Sequence, residues 1–243
     1  MSKFNIDRRL FVENFLQPIN KVSEQCVIEL DNDIARVVVS DSNTTMILFG
    51  ETKVDYTDTP ARLNIGDVLK LLKAIECIDQ DEASFSIENN NIKYSSPGLK
   101  FKYHILDDNI IAKPTINVEK LSQIDISTSF IIPKSTLRDI LKSSSFTSDS
   151  NKIYFYTRDD KVICELNDKT MPNLDSVEMV ASESFSGEPI KQELPLRLDW
   201  FRLFTSVNFE NVSVRYNDDN KIVIFQIENE NTTLKYIVSG LTK

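Results

Sequence analysis

The chain has 243 residues, of which 41% are hydrophobic and 27% are charged, enough for one large domain or two of about 120 residues. Its 28 Lys and Arg residues are outnumbered by 37 Asp and Glu residues, and the net charge of -9 argues against indiscriminate nucleic-acid binding. No apolar stretch approaches the ~18 residues of a membrane span, the N-terminus lacks a signal-peptide core, and three widely spaced cysteines do not suggest a disulfide framework. We therefore expect a cytoplasmic protein, in the infected host cell if it is viral, that is not secreted and has no membrane partner.

Four segments have the apolar periodicity of helices, and they are residues 8–21, 64–76, 134–142 and 197–206. In the second segment Val68, Leu72 and Ile75 share one face. Lys70 and Lys73 point to the opposite side, given about 100° per residue. The last segment is apolar nearly all round, so we expect that helix to be the most buried.

Short segments rich in β-branched or apolar residues lie between the helices and predict strands. They are residues 26–30, 35–39, 45–49, 83–87, 91–95, 99–105, 153–157, 161–166, 212–216, 221–227 and 232–238. Because the chain has only five glycines, Asn and Asp must supply most left-handed turn positions. A helix followed by strands occurs four times, which predicts an α+β fold of two similar domains, each with two such units.

The segment 107–125 lies at the midpoint of the chain and is longer than a normal connection. It contains Pro114 and has little periodicity, so we interpret it as an interdomain connector. The predicted divisions are an N-terminal domain 1–106, the connector 107–125 and a C-terminal domain 126–243. The alternative is an ordinary loop and strand inside a single β-rich domain.

Charge is separated along the sequence. The four helical segments hold five acids and ten basic residues, a local charge of +5, whereas the rest of the chain carries -14. The basic residues are Arg8, Arg9, Lys21, Lys70, Lys73, Lys134, Arg138, Lys142, Arg197 and Arg202. An acidic protein with basic helices is suited to hold DNA on one surface and repel it from the others.

Three local patterns accompany this order of elements. Residues 137–142 (LRDILK) precede 153–155 (IYF), residues 68–73 (VLKLLK) precede 83–87 (ASFSI), and the chain ends on a strand at 233–238 (TLKYIV). Over essentially its whole length the chain resembles the sliding clamps, which are ring-shaped DNA polymerase processivity factors. The match is to the two-domain type of T4-like phages and of proliferating cell nuclear antigen in eukaryotes and archaea.

The resemblance implies a closed homotrimeric ring of six similar clamp domains, with helices lining the hole and antiparallel sheets outside. It also implies that an ATP-dependent clamp loader opens the ring and that the replicative DNA polymerase docks through a short peptide tail. No catalytic site and no cofactor or metal are expected. Because residues 239–243 form a short end without an acidic tail, the bacteriophage type is the nearer relative.

In such a ring the basic helix faces would contact double-stranded DNA through phosphates, independently of sequence. The expected DNA-facing residues are Arg9, Lys70, Lys73, Lys134, Arg138, Lys142 and Arg202. Three of them recur at i, i+4 and i+8 on one helix, where like charges cost a few tenths of a kcal/mol per pair unless a polyanion is near. Alternatively, these residues are only the solvated faces of surface helices.

Apolar residues in the connector suggest a second surface. Together with the last strand they could wall a groove for a partner's hydrophobic anchor. The candidates are Ile110, Ile111, Ile116, Val118, Leu121, Tyr236 and Val238. The alternative is that they fasten the connector to the sheet.

The resemblance also implies that strand 99–105 pairs with residues 176–182 of a neighbouring subunit, since exposed strand edges invite such addition. Head-to-tail contacts of this kind can close into a ring. The expected interface residues are Leu99, Phe101, Tyr103, Val177, Met179 and Ala181. Either strand could instead lie inside a sheet.

The sequence gives little indication of a catalytic site. The sole histidine, His104, lies in a strand pattern, the cysteines lie in apolar contexts typical of a core, and no serine-protease, zinc or P-loop motif is present. Three Asp-Asp pairs could suggest metal-assisted phosphoryl chemistry, but two of them sit in predicted turns. The competing hypotheses are a β-rich viral structural or assembly protein that does not encircle DNA, and a nuclease or hydrolase that uses the acidic pairs.

Overall fold

The protein is described by a computed structural model that covers residues 2–112, 114, 125–147, 150–171 and 173–240. Two compact units divide the chain. The first comprises residues 1–115, 206–208 and 229–234, and the second comprises residues 116–205, 209–228 and 235–243. Among the described residues, no helix is both long and apolar enough to cross a bilayer.

The first unit has two antiparallel sheets. Their strands are β1 (Ser2–Asp7), β2 (Cys26–Asp31), β3 (Ile34–Ser40), β4 (Met46–Lys53), β5 (Ala61–Ile65), β6 (Glu82–Glu88), β7 (Asn91–Ser95) and β8 (Lys100–His104). One sheet has the order β1-β6-β7-β8, so β8 is an edge strand. In the other, β2 and β3 are central and are flanked by β5 and β4.

Two helices of the first unit pack on these sheets. Helix α1 passes through Arg8–Phe11, a π-helical stretch Val12–Leu16 and Gln17–Val22, and helix α2 spans Val68–Glu76. Each begins at an aspartate that caps it. The Asp7 carboxylate accepts a hydrogen bond from the Leu10 amide at 2.9 Å, and the Asp67 carboxylate accepts one from the Lys70 amide at 2.8 Å.

The sequence prediction of a helix from residue 64 needs correction. Residues Ala61–Ile65 form strand β5, which pairs with β2 so that Ile65 lies opposite Cys26. Helix α2 therefore starts only after the cap residue Asp67. Extended pairing with a central strand outweighs the local helical pattern because it buries Ile65 completely.

The second unit repeats this construction. Its strands are β9 (Thr128–Pro133), β10 (Lys152–Arg158), β11 (Lys161–Leu166), β12 (Val177–Ser182), β13 (Phe185–Gly187), β14 (Leu196–Arg197), β15 (Asn211–Asn217), β16 (Ile222–Glu228) and β17 (Thr232–Ser239), of which residues 232–234 are assigned to the first unit. One sheet has the order β12-β11-β10-β14, and β12 is an edge strand. In the other, β9 lies between β13 and β15, and β15 pairs with β16.

The helices of the second unit are α3 (Lys134–Ser143) and α4 (Leu198–Phe204). Pro133 is the cap residue of α3 and lies just before the helix. Four residues of α4 are buried, and the Phe201 ring lies 5.9 Å from the Phe155 ring and 5.1 Å from the Phe225 ring. The expected burial of this helix is confirmed. Both units thus have helices packed on antiparallel sheets, which confirms the α+β class.

Turns in the described residues rely on Asn and Asp, as the scarcity of glycine predicts. Ten residues other than glycine have positive φ, and eight of them are Asn or Asp. The pairs at 32–33, 89–90 and 159–160 each close a hairpin between consecutive strands. Short polar side chains tolerate the left-handed conformation best after glycine, so this prediction is confirmed.

Candidate functional surfaces

Helix α2 separates an apolar face from a basic face. Val68, Leu72 and Ile75 are buried, whereas Lys70 and Lys73 are exposed. Within the described part of the chain, neither ammonium group has an ion-pair partner. Since both charges point to solvent uncompensated, this helix presents a surface suited to an anionic partner.

Helix α3 carries a similar but less uniform set of cations. Arg138 and Lys142 are exposed, and Lys142 lies 3.6 Å from the carboxylate of Asp139. Lys134 is half-buried, and its ammonium group lies 5.0 Å from the centre of the Phe209 ring. Lys134 is thus partly committed to a cation–π contact, and Arg138 is the freest charge of this helix.

The predicted DNA-facing residues of α1 and α4, Arg9 and Arg202, each pair with a neighbouring carboxylate. Arg9 binds Glu13 at 3.0 Å, and Arg202 binds Asp199 at 3.0 Å. These pairs stand at i, i+4 and i, i+3, a spacing that can be read directly from the sequence. They leave Arg9 and Arg202 with less charge to offer a polyanion than Lys70 or Lys73.

A small cavity lies in the first unit beside the start of the connector. Its volume is about 60 Å³, and its walls include Gln25, Val27, Val38, Ile111 and Pro114. Ile111 is 8% exposed and lines the cavity, whereas the neighbouring Ile110 is 60% exposed and does not. The structure therefore places one predicted groove residue at a concave site between α1, β2 and β3.

The other predicted groove residues are distributed differently. Ile116, Val118 and Leu121 lie outside the described residues. Tyr236 and Val238 are 0% and 1% exposed, because alternate residues of β17 point into the core of the second unit. This corrects their expected position, since buried side chains cannot wall an open groove.

The two predicted interface strands, β8 and β12, are both edges of four-stranded sheets. The predicted interface residues fall into two groups, of which Leu99, Phe101, Val177 and Met179 are half-buried. Tyr103 and Ala181 are 6% and 1% exposed and belong to the cores of their own units. Backbone pairing along these edges remains open to another strand, but those two side chains point inward.

Residues considered for catalysis are scattered. His104 is exposed at the end of β8, and no group of three His, Cys, Asp or Glu side chains among the described residues could hold a metal ion. Asp218 is buried and accepts hydrogen bonds from the Ser127 hydroxyl at 3.1 Å and the Gln192 amide at 3.3 Å, so it fastens a loop.

Two of the cysteines lie in the core, and the third does not. Burial raises the pKa of the Cys26 and Cys164 thiols to about 12. Cys77 is exposed just after α2, where its thiol donates to the Lys73 carbonyl at 3.2 Å. The expectation that all three cysteines are core residues is therefore wrong for Cys77.

This architecture, two units with helices packed on antiparallel sheets, is that of the two-domain sliding clamps. The chain is similar to a chain in the solved structure of the C-terminal region of FEN-1 bound to A. fulgidus PCNA, with a TM-score of 0.82 and 12% identity over 100% of this chain and 99% of that chain. It is also similar to proliferating cellular nuclear antigen from Entamoeba histolytica, with a TM-score of 0.79 and 12% identity over 99% of each chain. The PCNA-like fold predicted from the sequence is confirmed. No protein-family model matches the chain, and a search of curated proteins finds no match.

Proposed function

We propose that this protein is a non-catalytic sliding clamp that encircles duplex DNA and tethers the replicative polymerase for processive synthesis. The observation that carries this function is the PCNA-like fold over the full chain. The exposed cations Lys70, Lys73 and Arg138, on one helix of each unit, support it, since none has an ion-pair partner among the described residues. They would meet DNA phosphates without reading bases.

Sliding follows from the kind of contact. Lysine ammonium groups act as point charges toward phosphate, and their flexible stems hold no fixed register along the duplex. A surface of this kind binds through released counterions, so its affinity depends on salt and is nearly independent of sequence. The acidic remainder of the chain would disfavour DNA elsewhere on the molecule.

The proposed assembly is a homotrimer of two-domain subunits, with domains 1–106 and 126–243 joined by the connector 107–125. Strand β8 of one copy would pair with β12 of the next. Because these are two different surfaces, the contact is head-to-tail and can close into a ring. An ATP-dependent clamp loader would open that ring around DNA, and the assignment to the bacteriophage type remains a prediction.

The proposed partner site is the cavity lined by Ile111. A PCNA of this fold is bound to the C-terminal region of FEN-1, which makes short peptide tails the plausible class of ligand. Exposed Ile110 beside that cavity offers further apolar contact. The polymerase would dock there through a tail with a hydrophobic anchor.

The test combines assembly and DNA affinity. Light scattering after size exclusion should give three times the chain mass of 27.9 kDa. Reversing Lys70, Lys73 and Arg138 to Glu should keep that mass, weaken duplex binding at low salt and lower the slope of log affinity against log salt by about 0.9 per lost contact. Reversing the equally exposed Lys3, Lys53 and Lys221 is the matched control. A trimer whose DNA affinity is the same in both triple variants would refute the assignment.

A further inference from the structure

Strand β8 carries an uncompensated positive charge on its solvent side. The charge comes from Lys100 and Lys102, which alternate with the inward Phe101 and Tyr103. His104, counted as neutral at pH 7, follows in the same alternation, and all three residues are exposed. No ion pair to any of the three occurs among the described residues. The remainder of the chain, which is acidic in sum, therefore includes a basic strand edge.

The neighbouring strand does not neutralise this charge. Lys102 lies directly opposite Lys93 on β7, an arrangement that is unfavourable for like charges. Lys93 itself is held by Glu88 at 2.6 Å, which leaves no carboxylate for Lys102. A partner that brings carboxylates to the free edge of β8 would therefore relieve repulsion as well as gain attraction.

The other free edge has the opposite charge. The segment 175–183, which contains β12, holds Asp175, Glu178 and Glu183 and no basic residue. Arg158 and the Tyr156 hydroxyl bind Glu178, and these two bonds anchor it on the sheet surface. The segment is therefore a fixed acidic strip along an edge strand.

Part of this acidity is balanced within the chain and part is not. Lys161 binds Glu183 at 2.6 Å. Glu165 on the neighbouring strand β11 and Glu193 in the loop before β14 share the single ammonium group of Lys169, at 2.8 and 2.5 Å. Asp175 is exposed and has no ion-pair partner in the described ranges. A negative surplus therefore remains around β12.

The two edges differ in what they permit. Pairing β8 with a second β8 would align lysines, and pairing β12 with a second β12 would align carboxylates. Only β8 against β12 brings opposite charges together while satisfying the free backbone groups of both edges. Charge therefore selects the head-to-tail contact and disfavours symmetric dimers.

We propose that the subunit joint is an ionic clasp, in which the basic edge β8 of one copy binds the acidic segment 175–183 of the next copy. The clasp rests on the proposed ring. It gives a physical cause for the head-to-tail contact and adds to the ring a sensitivity of assembly to salt. Charges at such a rim act mainly on association rate and salt dependence. Ring opening is thus easier at high ionic strength.

Three variants test the clasp. The first reverses the basic edge (Lys100→Glu and Lys102→Glu). The second reverses the acidic edge (Asp175→Lys and Glu183→Lys) and keeps the bond between Glu178 and Arg158. The third combines all four changes, so every joint again has opposite charges. Sedimentation velocity over a concentration series, from about 0.05 M to about 0.5 M salt, gives the apparent dissociation constant of the trimer.

Each single-edge variant should dissociate at least about tenfold more readily than the original chain at low salt, because like charges then face each other. The four-change variant should recover to within about threefold, since opposite charges are restored. The original chain should dissociate more readily as salt rises. Reversal of Lys3 and Lys53, which are exposed on other strands, is the control and should leave assembly unchanged.

Other outcomes separate the clasp from the ring. Urea unfolding first establishes that each variant is folded. If the original chain is trimeric and the single-edge variants assemble equally well, or the four-change variant stays weak, the clasp is refuted and the ring survives. A monomeric original chain would refute both. If reversal of the β8 lysines abolishes duplex binding without changing assembly, that edge is a nucleic-acid surface and the clasp is again refuted.

Discussion

The hydroxyl of Tyr103 joins the edge strand β8 to Asp67, the N-cap residue of helix α2. It donates a hydrogen bond to the Asp67 carbonyl at 2.9 Å and accepts one from the Asp67 amide at 3.0 Å. The carboxylate of the same aspartate caps the helix by accepting a hydrogen bond from the backbone amide of Lys70. One tyrosine thus couples the strand proposed to pair between subunits with the helix proposed to face DNA.

Replacing Tyr103 with Phe should lower the free energy of unfolding by about 1–3 kcal/mol, because the Asp67 amide would lose its buried partner. Urea denaturation measures the change. Tyr94→Phe is the control on the same sheet, since the Tyr94 hydroxyl donates only to the side chain of the exposed Gln80, which water can replace. Equal losses in the two variants would contradict a coupling role for Tyr103.

Tyr236 presents the opposite case. Its hydroxyl is completely buried and has no hydrogen-bond partner in the described structure. Tyr236→Phe should therefore leave stability unchanged or raise it by up to about 1 kcal/mol. Tyr216→Phe should destabilise the protein, because the Tyr216 hydroxyl accepts a hydrogen bond from the Leu194 amide at 3.3 Å. Thermal unfolding compares the stabilities of the two variants. A larger loss of stability for Tyr236→Phe than for Tyr216→Phe would contradict the expectation.

Stability should fall at alkaline pH. Burial raises the pKa of Tyr216 and Tyr236 above the ordinary phenol value, and the pKa of Cys164 to about 12. A raised pKa in the folded state means that the stabilisation is complete below the unfolded pKa, about 10 for tyrosine, and is lost as pH rises further. The free energy of unfolding should therefore decline above about pH 9–10. Urea titrations at successive pH values test this, with tyrosinate absorbance following the ionisation. A constant free energy up to pH 12 would contradict it.

Gly187 occupies a position that only glycine fits. Its φ is +92°, and a Cβ there would lie 2.2 Å from the Ser127 carbonyl oxygen. Gly187→Ala should cost at least about 1–3 kcal/mol of unfolding free energy. The control is Gly98→Ala, where a Cβ would meet no atom within 4 Å, and its effect should stay within about 0.5 kcal/mol. Comparable urea midpoints for the two variants would refute the conformational argument.

The sequence predicts most of this fold because helical and strand periods are local signals. The predicted set lacks several strands, among them β1, β5 and β9. Strand β5 shows the limit, since residues 61–65 become extended only through pairing with β2. Burial of Tyr236 was open to prediction, because Leu234, Tyr236 and Val238 alternate on one face of the strand. The contact of Lys134 with Phe209 joins residues far apart in the chain and leaves no local signal.

Thiol chemistry offers a probe beside the basic helix. Cys77 is exposed immediately after α2, whereas Cys26 and Cys164 are buried, with their pKa raised to about 12. Because the thiolate is the reactive form, a maleimide should label the native protein once and the urea-unfolded protein three times. Mass spectrometry counts the labels, and Cys77→Ser should leave the native protein unlabelled. Because Cys26 and Cys164 are buried, we expect neither to be labelled in the native protein. Rapid native labelling of either cysteine would contradict this expectation and show that the surrounding core opens. Duplex DNA at low salt should slow labelling of Cys77, since its thiol bonds to the carbonyl of Lys73, a residue proposed to meet phosphate.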